Sequence, residues 1–260
     1  MSTEGAASPL AWERVREEAI ALIDAAEAGG LLLRLCGSAG VRLFSPEVER
    51  LLAGPREPPK DLDFVCRGAD RNRLRPLFAA RGYAIDRDML IAMEGTRYAY
   101  RHSLTGLKLD LFVDRLAFCH TIELADRLEL HRPTISPDDL LLHKLQIVNP
   151  TAGDLLDIEA LLLAAWGSAE PDTSRLFDVL CRDWGFCRTA LANLGKTVAH
   201  AERNAPAALG VDASLRAAER ATALGRAIEE APKSLRWKLR ASIGERVQWW
   251  QDVDDREGTY

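Results

Sequence analysis

The chain has 260 residues, 47% hydrophobic and 28% charged, with 18 glycines and 12 prolines. That is the make-up of a globular protein with one large domain or two modest ones, and it excludes collagen-like, coiled-coil and low-complexity architectures. No apolar run reaches the roughly 18 to 20 residues of a membrane span, and residues 1–10 lack the basic start and apolar stretch of a secretory signal, so a cytoplasmic protein is expected. A formal charge of −5, from 34 basic and 39 acidic side chains, gives no bulk attraction for a polyanion, so contact with nucleic acid would have to be local.

Residues 11–28 carry Val15, Ala19, Ile20, Leu22 and Ile23 at helical spacing, and Gly29-Gly30 stops the pattern. Residues 31–36 form a short apolar run that ends at Gly37-Ser38, as a buried strand does on entering a turn. A second helix is predicted within residues 39–53, then a loop at 54–59, where three prolines remove backbone donors. Asp61-Leu62-Asp63-Phe64-Val65-Cys66 alternates carboxylates with apolar residues, the period of a strand. A helix over 72–81 and strands over 84–93, 96–102 and 107–113 follow, the last two joined as a hairpin across Ser103-Leu104-Thr105-Gly106.

Near residue 132 the character changes. Ser136 suits a helix cap, Pro137 the first helical position, and Asp138-Asp139 the positive end of a helix dipole. Helices are predicted over 140–147, 152–166, 172–183, 188–204, 212–230 and 235–252. The expected fold class is α+β: a mixed sheet flanked by helices in residues 1–131, and an all-α bundle in residues 132–260. Five cysteines without a CxxC pair argue against a disulfide framework or a four-thiolate zinc site.

Three features of the first half belong together: Gly37-Ser38 after a strand, Asp61-x-Asp63 on a second strand, and Asp110 within Lys108-Leu109-Asp110-Leu111-Phe112 on a third. Residues two apart on a strand project from one face, about 7 Å apart at ~3.3 Å per residue. Carboxylates gathered on one face call for a cation, and a hard divalent ion takes oxygen ligands. Such charges seldom sit in apolar runs merely to be solvated. Two Mg²⁺ ions roughly 3.5 to 4 Å apart can activate an attacking oxygen and steady a leaving one. Gly37 lets the backbone approach a triphosphate, and the Ser38 hydroxyl can hydrogen-bond its oxygens. The combination predicts nucleotidyl transfer, in which a hydroxyl attacks the α-phosphate of an NTP and pyrophosphate leaves.

On these residues the chain resembles the nucleotidyltransferase superfamily, with its polymerase-β-like fold. The resemblance rests on Leu35-Cys36-Gly37-Ser38, Lys60-Asp61-Leu62-Asp63-Phe64 and Leu109-Asp110-Leu111-Phe112. It extends over roughly residues 31–160, because 139–145 with Asp154-Leu155-Leu156-Asp157 is similar to the second part of uncharacterised nucleotidyltransferases, including the enzyme halves of type IV toxin/antitoxin systems. The resemblance implies that Asp61 and Asp63 bind both metals, Mg²⁺ or Mn²⁺ in its place. It implies that Asp110 is a ligand and base-side carboxylate, that Gly37 and Ser38 hold the nucleotide, and that Lys144 contacts phosphate. The interval from Gly37 to Asp61 is longer than in the family, and the excess falls on the proline-rich loop.

Other candidates carry two readings each. Lys144 can meet phosphate as a point charge or lie with its stem along an apolar seam. Asp154 and Asp157 share a helix face, where one of them orients Lys144 or an acceptor hydroxyl, or Asp154 simply marks a helix start. Arg97 and Arg101 share a strand face and either clamp phosphates or pair with acidic neighbours across the sheet. Arg71, Arg73, Arg75, Arg81 and Arg87 form a basic cluster that meets RNA or is only a solvated face. The acceptor is a small molecule, a tRNA 3′ end or a protein side chain. The rival is a catalytically inactive relative that binds a nucleotide or a protein partner, as in a toxin/antitoxin system.

Overall fold

The structure is a computed structural model describing residues 11–86, 97–165, 173–204 and 209–252. The chain divides into two compact units, one of Met1–Leu43, Pro58–Arg115 and Glu123–Ser136, the other of Phe44–Glu57, Leu116–Ile122 and Pro137–Tyr260. The fold is α+β. Among the described residues no helix is long and apolar enough to cross a membrane.

The first unit opens with α1 (Trp12–Ala28), which buries Trp12, Val15, Ala19, Leu22, Ile23 and Ala26 along one stripe at three- and four-residue spacing. Strand β1 (Leu33–Cys36) runs directly into α2 (Gly37–Leu43). The single helix predicted within 39–53 is two, because Ser45 and Pro46 start a new one. The Ser45 side chain accepts from the Val48 N–H, and Pro46 opens α3 (Pro46–Leu52), which belongs to the second unit. Strand β2 (Asp61–Cys66) and α4 (Arg71–Ala80) follow as the sequence predicts. The strands after them are β3 (Tyr83–Ile85), β4 (Arg97–His102) and β5 (Lys108–Val113), and much of the predicted strand 84–93 lies outside the described residues.

These strands form one mixed sheet in the order β1-β2-β5-β4-β3, in which only β2 and β5 run parallel. The register sorts side chains cleanly, since Cα partners face the same way. One face carries Leu33, Leu35, Leu62, Phe64, Cys66, Leu109, Leu111, Val113, Tyr83 and Tyr100, and these pack with α1, Leu74 and Phe78 into the core. The opposite face carries Cys36, Asp61, Asp63, Lys108, Asp110, Arg97, Ala99 and Arg101. A small hairpin of β6 (Arg115–Ala117) and β7 (Thr121–Glu123) was not predicted, because three-residue strands are too short to show a period.

The second unit is helical. Helix α5 (Pro137–Leu145) begins at the proline, as the capping pattern requires. Helix α6 (Ala152–Ala165) is apolar around most of its circumference and buries Leu155, Leu156, Ile158, Ala160, Leu161, Leu162 and Leu163, with α3, α5, α8 (Trp184–Asn204) and α9 (Val211–Glu230) packed about it. Between α6 and α8 lies the short α7 (Ser174–Leu180). Helix α10 (Leu235–Ile243) stops well before residue 252, because Gly244 at φ +63° turns the chain out of the helix.

Candidate active site on the sheet

Asp63 and Asp110 are direct partners across the parallel β2–β5 pair, and Asp61 lies two residues before Asp63. All three predicted ligands therefore share one face of the sheet, with neighbouring strands about 4.8 Å apart. Asp61 is exposed, and Asp63 and Asp110 are half-buried. Leu62 and Leu109, which alternate with them, fix that orientation by going into the core on the other side.

Gly37 explains how Asp63 fits. A Cβ built at Gly37 would stand 2.0 Å from Asp63 Oδ2, and the residue has φ +63°. The absent side chain is thus the space in which the carboxylate lies, and the backbone there takes a form that L residues rarely adopt. Ser38 is the next residue, in the first turn of α2.

The face also carries bases. Lys108 is the partner of Asp61, and Arg101 is the partner of Lys108. Arg97 Nη2 donates to Asp110 Oδ2 at 2.6 Å, while its guanidinium carbon stands 5.3 Å from the centre of the Phe112 ring. Arg101 donates to the Gly106 carbonyl at 3.4 Å and is exposed. Of the two readings of the arginine strand, cross-strand pairing is the one seen for Arg97.

The donors are carboxylate oxygens, the kind Mg²⁺ takes, and Gly37 leaves room for one of them beside the β2–β5 pair. On those counts the residues fit the ion. As the side chains stand, no three His, Cys, Asp or Glu residues among those described are close enough together to hold a metal. Asp110 is already paired with Arg97, so an ion bound there must take Arg97's place.

Lys144, Asp154 and Asp157 meet in the helical unit. Lys144 Nζ donates to Asp154 Oδ1 at 2.8 Å and lies 2.9 Å from Asp157 Oδ2, and all three are buried. Burial opposes the lysine's charge, but Asp157 and Asp154 outweigh it and hold its pKa above the ordinary value. Burial likewise works against the Asp154 carboxylate, yet Lys144 and the N–H and hydroxyl of Thr151 keep it well below the usual range. Lys144 is thus engaged by two carboxylates of its own unit. Asp157 also accepts from Arg56 Nε at 3.2 Å. A Cβ at Gly153 would stand 2.6 Å from the Arg56 guanidinium carbon, so that glycine makes room for the arginine.

The sequence offered cross-strand pairing for Arg97 without naming Asp110 as its partner, and gave no sign of the Arg56 pairing. That of Arg97 follows from hairpin register: the turn at 103–106 sets Arg101 opposite Lys108 and Ala99 opposite Asp110, so Arg97 lies one pleat along on the same face. Arg56, inside a proline-rich loop, carries no periodic signal. In the basic cluster, Arg73 donates to the Gly29 carbonyl at 2.8 Å and Arg81 grips Glu18 at 2.8 and 3.2 Å, while Arg87 lies outside the described residues.

No family model matches the chain. No curated protein matches it either. Among solved structures it is similar to JHP933 from Helicobacter pylori, at 16% identity and TM-score 0.43, over 86% of this chain and 96% of that one.

Proposed function

We propose that the chain is a metal-dependent nucleotidyltransferase that moves an NMP from an NTP to a hydroxyl acceptor. The observation that carries this reading is the grouping of Asp61, Asp63 and Asp110 on one sheet face, with Gly37 hollowed out to admit Asp63. A protein with no use for a cation gains nothing by crowding carboxylates there. Asp61, Asp63 and Asp110 are the residues that would hold Mg²⁺, or Mn²⁺ in its place. When bound, the ion supplies charge neutralisation for the phosphate oxygens and lowers the pKa of the attacking hydroxyl.

The chain's own residues do the rest. The Ser38 hydroxyl donates to a phosphate oxygen. Arg97, once released from Asp110, presents its guanidinium to phosphate on the same face. The acceptor oxygen forms a bond to the α-phosphorus, the bond from that phosphorus to the bridging oxygen breaks, and pyrophosphate carries away the electron pair. The hydroxyl proton passes to the carboxylate of Asp110. The net charge of −5 favours a small molecule or a protein side chain over a tRNA end as acceptor, and a cytoplasmic location goes with an NTP substrate.

The 2.6 Å pair of Arg97 with Asp110 favours a second reading, a binding-only protein in which the arginine has permanently replaced the ion. Thermal melting with each of the four NTPs, with and without Mg²⁺ or Mn²⁺, separates the two. The nucleotidyltransferase reading expects stabilisation by at least one NTP that depends on the metal. Metal-independent stabilisation by NTP supports the binding-only protein, and no stabilisation by any NTP contradicts the active site.

A further inference from the structure

Helix α10 holds an apolar ridge away from the rest of its unit. Leu235, Leu239 and Ile243 recur every four residues and are 74%, 63% and 46% exposed, and Val247 just beyond is 58% exposed. None of the helix's residues is buried. The helix is nevertheless well fastened. The Ser234 N–H donates to the Cys181 carbonyl at 3.0 Å, and the Ser234 hydroxyl caps the first turn by accepting from the Trp237 N–H at 3.2 Å. Arg240 lies 4.6 Å over the Trp184 ring and donates to the carbonyls of Gly244 and Val247, and Arg188 bonds Glu245 at 2.7 Å.

The margins of the ridge are basic. On a 100° helical wheel Arg236 and Lys238 fall on opposite sides of the Leu235–Leu239–Ile243 line, and Arg246 follows beside Val247. All three are exposed, and none has an ion pair among the described residues, unlike Arg34, Arg56, Arg81, Arg97, Arg132 and Arg175, which do.

We propose that this ridge is a docking surface for an amphipathic helix of a partner protein whose apolar stripe is flanked by Asp and Glu. A row of side chains four residues apart is the ridge that packs into the matching groove of another helix in the commonest packing class. The unpaired bases on both sides select an acidic partner. A second copy of the chain is disfavoured by the same charges, because a two-fold contact would set basic rim against basic rim. A lipid surface is the poorer occupant, since one helix of nine residues offers only a short apolar edge.

Two synthetic helical peptides of about 18 residues, or five turns, test this. One carries a leucine stripe flanked by glutamates, the other the same stripe flanked by lysines, and binding to the full chain is read by fluorescence anisotropy at low and at physiological salt. The proposal expects the glutamate peptide to bind, the lysine peptide to bind at least about tenfold more weakly, and Leu239→Asp to abolish binding. Arg236→Glu with Lys238→Glu should reverse the peptide preference, with circular dichroism confirming that each variant stays folded. Equal binding of the two peptides, binding unaffected by Leu239→Asp, or no binding of either overturns the proposal. So does self-association lost in Leu239→Asp, or binding only to phosphatidylserine vesicles.

Discussion

A methyl group at position 37 would strike Asp63 Oδ2 at 2.0 Å, and the backbone there is left-handed. Gly37→Ala is therefore expected to cost about 1 to 3 kcal/mol in urea unfolding and to push Asp63 from its place. Unchanged stability would show that the carboxylate moves aside freely. Arg97 makes the opposite kind of prediction. If its guanidinium holds the place of a cation at Asp110, Arg97→Ala should bind Mn²⁺ about tenfold more tightly in calorimetric titration, even with the stabilising pair lost. Equal affinity in the two proteins would mean that Arg97 and the ion do not compete. The three aspartates were legible from spacing, because an apolar residue beside each one fixes its face. That Arg97 pairs with an acidic neighbour was one of two readings of its strand, but Asp110 as the partner was not legible, since that depends on register across a hairpin, which a single strand's pattern does not contain.

Helices α5 and α6 are joined by charge inside an apolar interior. Lys144→Met would take the lysine's charge away from the buried Asp154 and Asp157, and is expected to lower stability by about 3 to 5 kcal/mol. Adding Asp154→Asn should recover part of that loss in the same unfolding experiment; a neutral Lys144→Met would show that the network carries no weight. The long helices were legible because each has a buried stripe or a stop residue, as α1 has with Gly29-Gly30. Where helices were misjudged, one residue decided. Pro46 with the Ser45 cap divides the predicted helix after Gly37, and Gly244 cuts α10 short. Nothing in composition reveals that residues 44–57 and 116–122 belong with the helical unit, because that is a matter of contacts between distant stretches of chain.

Buried titrating groups set a pH dependence of folding. Burial pushes His143 down to about 3 and His120 down to about 4, because their charged forms lose solvent. The unfolded chain takes up protons at these histidines below about 6.5, where the folded chain does not. Their contribution is full above that pH and is lost as pH falls, by at most about 1.4 kcal/mol per pH unit for each. Asp154, held low by Lys144, adds a loss of the same sign below the ordinary aspartate value. The urea midpoint should thus stay level from pH 9 to 7 and fall between 6.5 and 4, less steeply in His143→Gln; a level midpoint down to pH 4 would contradict this. The α+β class was readable because a strand-rich stretch gives way to helical periods near residue 132. Chemistry at the acidic face is read out by pyrophosphate release from the four NTPs with Mg²⁺, in cell extract to supply the acceptor. Above the extract's own background, the added wild-type chain should release pyrophosphate from at least one NTP and Asp63→Asn should add none; equal added release by both would contradict the assignment of Asp63 and with it the site.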